Sequence, residues 1–420
     1  MLFSAALLIV GCLGSTVGLE NGLARTPPMG WMSWTIFWCQ IDCIKYPGKC
    51  INERMYKDMA DRLVEDGYKD FGYNRVHIDD CWMEMKRDKT GTLIADRDRF
   101  PSGIQALSRY MHAKGILLGI YEDYGNKTCG GYPGSQYYLE KDANTFAEWE
   151  VDYLKLDGCY AEEDDMAIGY PAMSDFLKKT GRDIVYSCSW PAYLEDEPEK
   201  VDYNVIGKYC NLWRNYGDIS AKWSSIQKII DYYTENQDKL IPAAGPGRWH
   251  DPDMIVVGQN TVTPDQSRTQ MSLWSIWSAP LIMSNDLRVI KPVYKKILQN
   301  SLVIAVDQDP LGIMGRMIFN NSDFAVYLKP ITPVDTDKNL YSYAVVFFNR
   351  NTDRSSVVSI MYGQLGLNNP LGYFVQDLWE NQYLGLKRSI DVYVATIPPT
   401  GVKMIKATLA HKFFIDTPTA

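Results

Sequence analysis

The chain has 420 residues, 43 Lys+Arg against 51 Asp+Glu, and a formal net charge of -8. This length allows two or three domains, though an α/β barrel can use 250 residues as one. The acidic balance argues against nucleic acid or an anionic membrane as a partner, since both need basic patches. Aromatic residues reach 13 %, with 12 Trp and 28 Tyr, enough to line a sugar-binding cleft as well as to fill a core.

The chain opens on MLFSAALLIVGCLGSTVG (residues 1–18), a stretch without a charge. Its apolar run is too short to span a bilayer, which takes about 20 residues. Small residues Thr16 and Gly18 sit where a signal peptidase cuts, so residues 1–18 are expected to be a signal peptide. No other run is long and apolar enough to cross a membrane. Cys12 would leave with the signal. The remaining eight cysteines (39, 43, 50, 81, 129, 159, 188 and 210) are an even number, as disulfide-bonded secreted proteins have. Sequons at Asn126 and Asn320 fit the same compartment. Zinc fits poorly, with no C-x-x-C pair and 4 His.

Short β-type runs then alternate with amphipathic helical stretches. Strands are expected at 29–33, 73–78, 117–121, 153–156, 184–187, 210–213, 254–257 and 280–283. Helices are expected at 52–66 and 221–237. Eight such units predict a (β/α)8 TIM barrel over 19–305; six would make an open doubly wound sheet. After Val306 the texture changes to β-rich runs at 341–348, 355–360, 373–378 and 392–397, separated by Asn, Asp, Gly and Pro. They predict an antiparallel β-sandwich domain over 306–420.

Catalytic groups of a TIM barrel sit at the C-terminal ends of its strands. Here those ends read His77-Ile78-Asp79-Asp80-Cys81-Trp82, Tyr121-Glu122-Asp123, Lys155-Leu156-Asp157-Gly158-Cys159, Ser187-Cys188-Ser189-Trp190 and Trp213-Arg214-Asn215, with Asp218 just beyond. Trp249-His250-Asp251-Pro252-Asp253 lies near the seventh strand. One Asp after a strand is commonly a helix cap; several acids beside Lys155 and Arg214 are harder to explain that way. Three chemistries remain open. Glycoside hydrolysis uses two carboxyl groups. Metal-assisted hydrolysis would use His77, Asp79, His250 and Asp251, with Lys155 bridging. The third is a non-catalytic sugar-binding protein on the same scaffold.

The segments NGLARTPPMGW, HIDDCW, LGIYED, YLKLDGC, SCSWPAY, NLWRNYGDI and DPDM, in that order, resemble glycoside hydrolase family 27. The resemblance runs from about Leu19 to the C-terminus. It implies a barrel followed by a β domain, a retaining double-displacement mechanism without metal or organic cofactor, and a homodimer. It makes Asp157 the nucleophile and Asp218 the acid/base, their carboxyl groups ~5–5.5 Å apart. It places Trp34, Asp79, Asp80, Tyr121, Lys155, Cys159, Ser189, Ala192, Tyr193, Arg214 and Asp253 around the sugar. It pairs Cys39–Cys81, Cys43–Cys50, Cys129–Cys159 and Cys188–Cys210. Arg248 and His250 depart from the family's pattern, on the rim of the site.

Family members acting on α-galactosides carry Glu and Leu where this chain has Ser189 and Ala192. The smaller pair opens space for an N-acetyl group. The expected substrate is therefore terminal α-linked N-acetylgalactosamine on a glycoconjugate, with weaker action on α-galactose; α-galactose as the main substrate is the alternative. An acidic working pH and a lysosomal location follow from the resemblance, with secretion as the alternative.

Overall fold

The computed structural model describes residues 19–259 and 261–411. The expected signal peptide, residues 1–18, lies outside the described residues.

Eight parallel strands form one sheet in the order β7-β6-β5-β4-β3-β2-β1-β8. They are β1 (Met29–Met32), β2 (Arg75–His77), β3 (Leu117–Asp123), β4 (Tyr153–Asp157), β5 (Val185–Cys188), β6 (Leu212–Arg214), β7 (Trp249–Asp251) and β8 (Leu281–Met283). Helices join successive strands, as parallel pairing requires. The helix Glu53–Glu65 is one example. The Asn52 side chain accepts from Met55 N at 2.8 Å and starts it, and Met55, Met59 and Leu63 are buried.

The seventh strand corrects the expectation of 254–257. Pairing with β6 is made by Trp249–Asp251 instead. Pro252 has no N–H to donate, and Asp253 adopts φ +78°. The chain therefore turns before Ile255, which bridges to Met283 of β8 and closes the ring. One apolar run thus serves the closing seam while a more polar one makes the strand.

The barrel's last helix, Ser301–Asp307, runs past residue 305. Eight antiparallel strands follow: β9 (Arg316–Asn320), β10 (Ala325–Asp335), β11 (Leu340–Phe348), β12 (Ser356–Met361), β13 (Tyr373–Asp377), β14 (Gln382–Lys387), β15 (Val392–Ile397) and β16 (Val402–Leu409). They form a six-stranded sheet, β14-β13-β16-β11-β10-β9, and a two-stranded one, β12-β15. Val358, Ile360, Tyr393 and Ile397 of the small sheet pack on Val345, Phe347 and Ile405 of the large one. The opposite face of the large sheet, through Tyr327, Ala344, Val346, Phe348 and Met404, joins the barrel's own core. Across this junction Lys329 is buried, donating to Ser278 Oγ at 2.7 Å and to Ser275 O at 3.1 Å.

Candidate active site

Strand ends β2, β4 and β6 open into one cavity of about 350 Å³. Trp34, Asp79, Asp80, Tyr121, Lys155, Asp157, Cys159, Ser189, Ala192, Tyr193, Arg214 and Asp218 all line it. Twelve positions scattered over 185 residues of chain converge because parallel strands bring every C-terminal end to one face.

Asp157 ends β4. Its Oδ1 accepts from Tyr193 Oη at 2.8 Å and from Gly158 N at 3.1 Å. Oδ2 is left facing the Cys129 sulfur at 3.7 Å. Gly158 is required here: a Cβ would stand 2.9 Å from the Tyr193 ring. Burial, and then the neighbouring Asp157, pushes the Tyr193 phenol well up, so it stays a donor. Beside Asp157, its partner in the strand register, lies Asp123 of β3, fully buried. Asp123 accepts from Gly125 N at 2.7 Å and Cys159 N at 2.9 Å, which fixes the turn holding the Cys129–Cys159 bridge. Burial and the Asp157 charge raise its carboxyl.

Lys155 Nζ lies 2.9 Å from Asp79 Oδ2, both buried. Burial alone would lower the lysine, but Asp79, Asp157 and Asp218 together raise it, so it remains charged. Burial also raises Asp79, with Lys155 opposing. Asp80 is pushed up to about 6 by burial, against hydrogen bonds from Gly130 N (2.7 Å) and Cys81 N (2.6 Å). Two carboxyls side by side, one of them salt-bridged, make an acceptor pair suited to two nearby sugar hydroxyls.

Asp218 stands at the cavity mouth, its side chain 61 % exposed. Its Oδ1 is 3.1 Å from Arg214 Nη2. Partial desolvation by the cavity walls works to raise its carboxyl, but Arg214 and Lys155, with a hydrogen bond from Trp34, outweigh it and hold Asp218 below the usual carboxylate range. Arg214 is buried and also pairs with Asp253 at 3.2 Å.

Asp253 differs from its neighbours in this set. It does not line the cavity: its carboxylate accepts from Ile219 N at 2.8 Å and bonds Arg214 from behind. His250 is not on the rim either. It is buried, its Nδ1 accepting from Trp213 Nε1 at 2.9 Å and its Nε2 donating to Leu240 O at 2.8 Å. Burial lowers it to about 4, so it is neutral. The metal-hydrolase set is thereby dispersed. His77 packs edge-on against Tyr153 beneath the cavity, and His250 is engaged elsewhere. Among the described residues, the two His/Cys/Asp/Glu clusters both consist of disulfide cysteines with one Asp each.

The wall also contains Cys129, Tyr216 and Gly217, none of them named as sugar contacts from the sequence. Tyr216 and Gly217 sit between Arg214 and Asp218, so the WRNYGD spacing was the available signal. Asp123 has no such signal beyond its place at a strand end. The cysteines pair as the resemblance implied: Cys39–Cys81, Cys43–Cys50, Cys129–Cys159 and Cys188–Cys210. Asn126 and Asn320 are exposed, and no helix among the described residues is long and apolar enough to cross a membrane.

Comparison with known proteins gives one consistent result. Residues 26–309 match the family model described as α-galactosidase A. Residues 322–407 match the α-galactosidase C-terminal β-sandwich domain. The chain is 49 % identical over 388 residues to the α-N-acetylgalactosaminidase of Gallus gallus, covering 92 % of this chain and 94 % of that one. It is 44 % identical over 393 residues to α-galactosidase A of Homo sapiens, covering 92 % and 90 %. The crystal structure of α-galactosidase I from Mortierella vinacea superposes with a TM-score of 0.81 at 29 % identity, covering 92 % of this chain and 98 % of that one.

Proposed function

The chain belongs to glycoside hydrolase family 27, the family of α-galactosidase A, and from that premise we propose that it is a retaining exo-glycosidase for terminal α-linked N-acetylgalactosamine. The observation that carries the choice of sugar is the pair Ser189 and Ala192 on the wall that also holds Asp157 and Asp218. Both side chains are small, and Ser189 offers a hydroxyl to an acetamide. The relatives support the same reading, since the Gallus gallus protein is an α-N-acetylgalactosaminidase. An enlarged cavity still admits galactose, so weaker α-galactosidase activity belongs to the proposal.

In the reaction we assign, Asp157 Oδ2 attacks the anomeric carbon, because Oδ1 is already held by Tyr193 and Gly158. The glycosidic C–O bond breaks, and the leaving oxygen takes a proton from Asp218. Water then attacks the glycosyl-Asp157 ester. Asp218 accepts its proton, and Asp157 is released as a carboxylate. Asp79 and Asp80 hold the 4- and 6-hydroxyls of the sugar beside Lys155, and Trp34 and Tyr121 supply apolar walls. Asp218 enters this cycle from an ion pair with Arg214. Substrate that displaces the pair and excludes water raises the carboxyl so that it can carry the proton.

In the same proposal residues 19–305 carry the catalysis and 306–420 buttress the barrel, and the working form is a homodimer. It acts in the lysosome after signal cleavage near Gly18, with secretion as the alternative. Hydrolysis of paired chromogenic α-N-acetylgalactosaminide and α-galactoside substrates tests the reading. A higher kcat/KM on the first is expected. Preference for the second favours the α-galactosidase alternative, and no turnover on either leaves a sugar-binding relative.

A further inference from the structure

Asp218 marks where the leaving group departs, and the side chains next to it have no role in the reaction assigned above. Asp79, Asp80 and Lys155 are buried and close the inner end of the cavity. The terminal sugar therefore sits inward, and whatever it is attached to extends past Asp218 through the exposed mouth. Two turns bound that mouth. One follows β6 and carries Tyr216 and Gly217, both in the cavity wall. The other follows β5 and carries Glu195, exposed, two residues after Tyr193.

Tyr216 is held as a fixed surface. Its ring stacks on Tyr232 of the helix Trp223–Glu235, with centroids 4.5 Å apart and planes 25° from parallel. Its carbonyl accepts from Arg214 Nη2 at 3.0 Å. The preceding Asn215 accepts from the buried Tyr233 Oη at 2.8 Å. One face of the ring is thus covered by Tyr232, while the ring still borders the cavity. Beside it Gly217 leaves a slot. Chain neighbours aside, a Cβ there would meet a single atom within 4 Å among the described residues, Glu195 Oε2 at 3.9 Å. The space next to Asp218 is therefore open, with a flat ring on one side and a carboxylate on the other.

We propose that Tyr216, Gly217 and Glu195 form the subsite for the group that leaves, and that this group is a second pyranose. The proposal rests on the glycosidase reading above and names the aglycone class of that same site. A pyranose has a face of C–H groups that packs flat on an aromatic ring, and hydroxyls at its edge that donate to a carboxylate. A serine or threonine aglycone places an acyclic carbon next to the bond and gives the Tyr216 ring no face to cover. A lipid chain would need an apolar trough, whereas Glu195, Asp196 and Asp218 stand exposed here. Gly217 belongs to the subsite for its lack of a side chain, since a larger residue would fill the gap to Glu195.

The test uses the full mature chain and three substrates that share a terminal sugar: its α-methyl glycoside, its α-glycoside of N-acetylserine amide, and the disaccharide in which it is α-(1→3)-linked to methyl β-galactoside. The set is run with N-acetylgalactosamine and with galactose as that sugar, so the comparison holds whichever one the enzyme prefers. Each variant is compared with wild type by its ratio of kcat/KM values, which cancels the intrinsic ability of each group to leave. Tyr216→Leu keeps an apolar side chain and loses the flat ring, so its disaccharide-to-methyl ratio should fall roughly fivefold. Tyr216→Phe should hold the wild-type ratio. Glu195→Ala changes an exposed side chain on the opposite wall and should lower the ratio roughly threefold. A parallel fall on all three substrates would make Tyr216 a support for Arg214 and Asp218, and overturns the subsite. So do ratios unchanged in Tyr216→Leu, or a Phe variant that loses as much as the Leu variant. An equal fall for the serine glycoside would assign the wall to a peptide aglycone and overturns the choice of a pyranose. Absence of wild-type turnover on every substrate would instead sink the glycosidase reading. Calorimetric binding of the disaccharide then decides the subsite by itself: weaker binding to Tyr216→Leu supports it, and equal binding overturns it.

Discussion

Arg214 Nη2 lies 3.1 Å from Asp218 Oδ1 while its Nη1 lies 3.2 Å from Asp253 Oδ1. One guanidinium thus joins the group assigned as acid/base to a buried carboxylate behind it. This favours an ionised Asp218, although the first step needs it protonated. The alkaline limb of kcat/KM reports the acid in the free enzyme. Arg214→Gln should therefore move that limb to higher pH, by on the order of one unit, while raising KM. An unchanged limb in a folded variant would count against Asp218 as the titrating acid.

Replacing Asp157 with Asn should abolish turnover with little change in thermal stability. The side chain keeps its volume and can still accept from Tyr193 Oη, but the nucleophile is gone. Asp218→Asn should behave differently. Loss of acid assistance costs roughly 10²- to 10⁴-fold on poor leaving groups and far less on good ones. Rates for a series of aryl glycosides check both. Equal loss across the series would remove Asp218 from its role.

A second pH dependence concerns stability. Glu122 points from β3 into the layer behind the strand; it is fully buried, and neither carboxyl oxygen has a hydrogen-bond partner. Burial, and then Asp142, raises its pKa well above 4.5. The folded state therefore binds a proton that the unfolded state releases. Its contribution is fully present below about pH 4.5 and shrinks as pH rises, by roughly 1.4 kcal/mol per unit until the folded-state pKa is passed. Asp80, raised to about 6, adds the same sign of slope between about pH 4 and pH 6. Glu122→Met should raise Tm at neutral pH and flatten the decline, with the gain fading in acid. Melting curves across that range decide it, and a variant with the wild-type slope would exclude Glu122 as a cause.

The barrel was legible because its strands are short apolar runs that end in polar groups, a pattern set by local sequence. Strand β7 was not, since the more apolar stretch after Pro252 closes the seam with β8 and leaves pairing to Trp249–Asp251. In the sandwich, β9 is nearly all exposed and shows no buried alternation, and β10 carries Pro330 and Pro333, which argue against a strand. Strand β16 alternates, but Lys403 and Lys406 obscure it. The site residues were read from motifs, and the cavity contains twelve of the thirteen. Asp253 lies behind Arg214 because a left-handed turn at its own position aims its carboxylate back at Ile219 N. Asp tolerates the left-handed region, but nothing in the local sequence marks Asp253 rather than Asp251 as the residue that adopts it.

The last prediction concerns Ser189 and Ala192, at the start and middle of the turn that follows β5. Ser189 N donates to Leu156 O and Ala192 N to Ser189 O, both at 3.0 Å, so the turn's backbone is fixed by main-chain bonds that a side-chain change leaves in place. Replacing the pair with Glu and Leu should therefore alter the cavity wall without moving Asp157 or Asp218. The added bulk would fill the space we assign to the N-acetyl group. The new carboxylate could accept a hydrogen bond from the 2-hydroxyl of galactose, which N-acetylgalactosamine lacks. Filling such a space is worth ~1–3 kcal/mol, or roughly 10- to 200-fold in kcat/KM, so the preference should pass from α-N-acetylgalactosaminides to α-galactosides. Tyr193 follows on the same turn and holds the nucleophile, which makes its integrity the control: the variant should keep a near wild-type kcat on its new substrate. Parallel loss on both sugars would mean that the swap had disturbed Tyr193 and Asp157 rather than the pocket. Unchanged hydrolysis of the N-acetylgalactosaminide would place the acetamide elsewhere in the cavity and withdraw the main support for this choice of substrate.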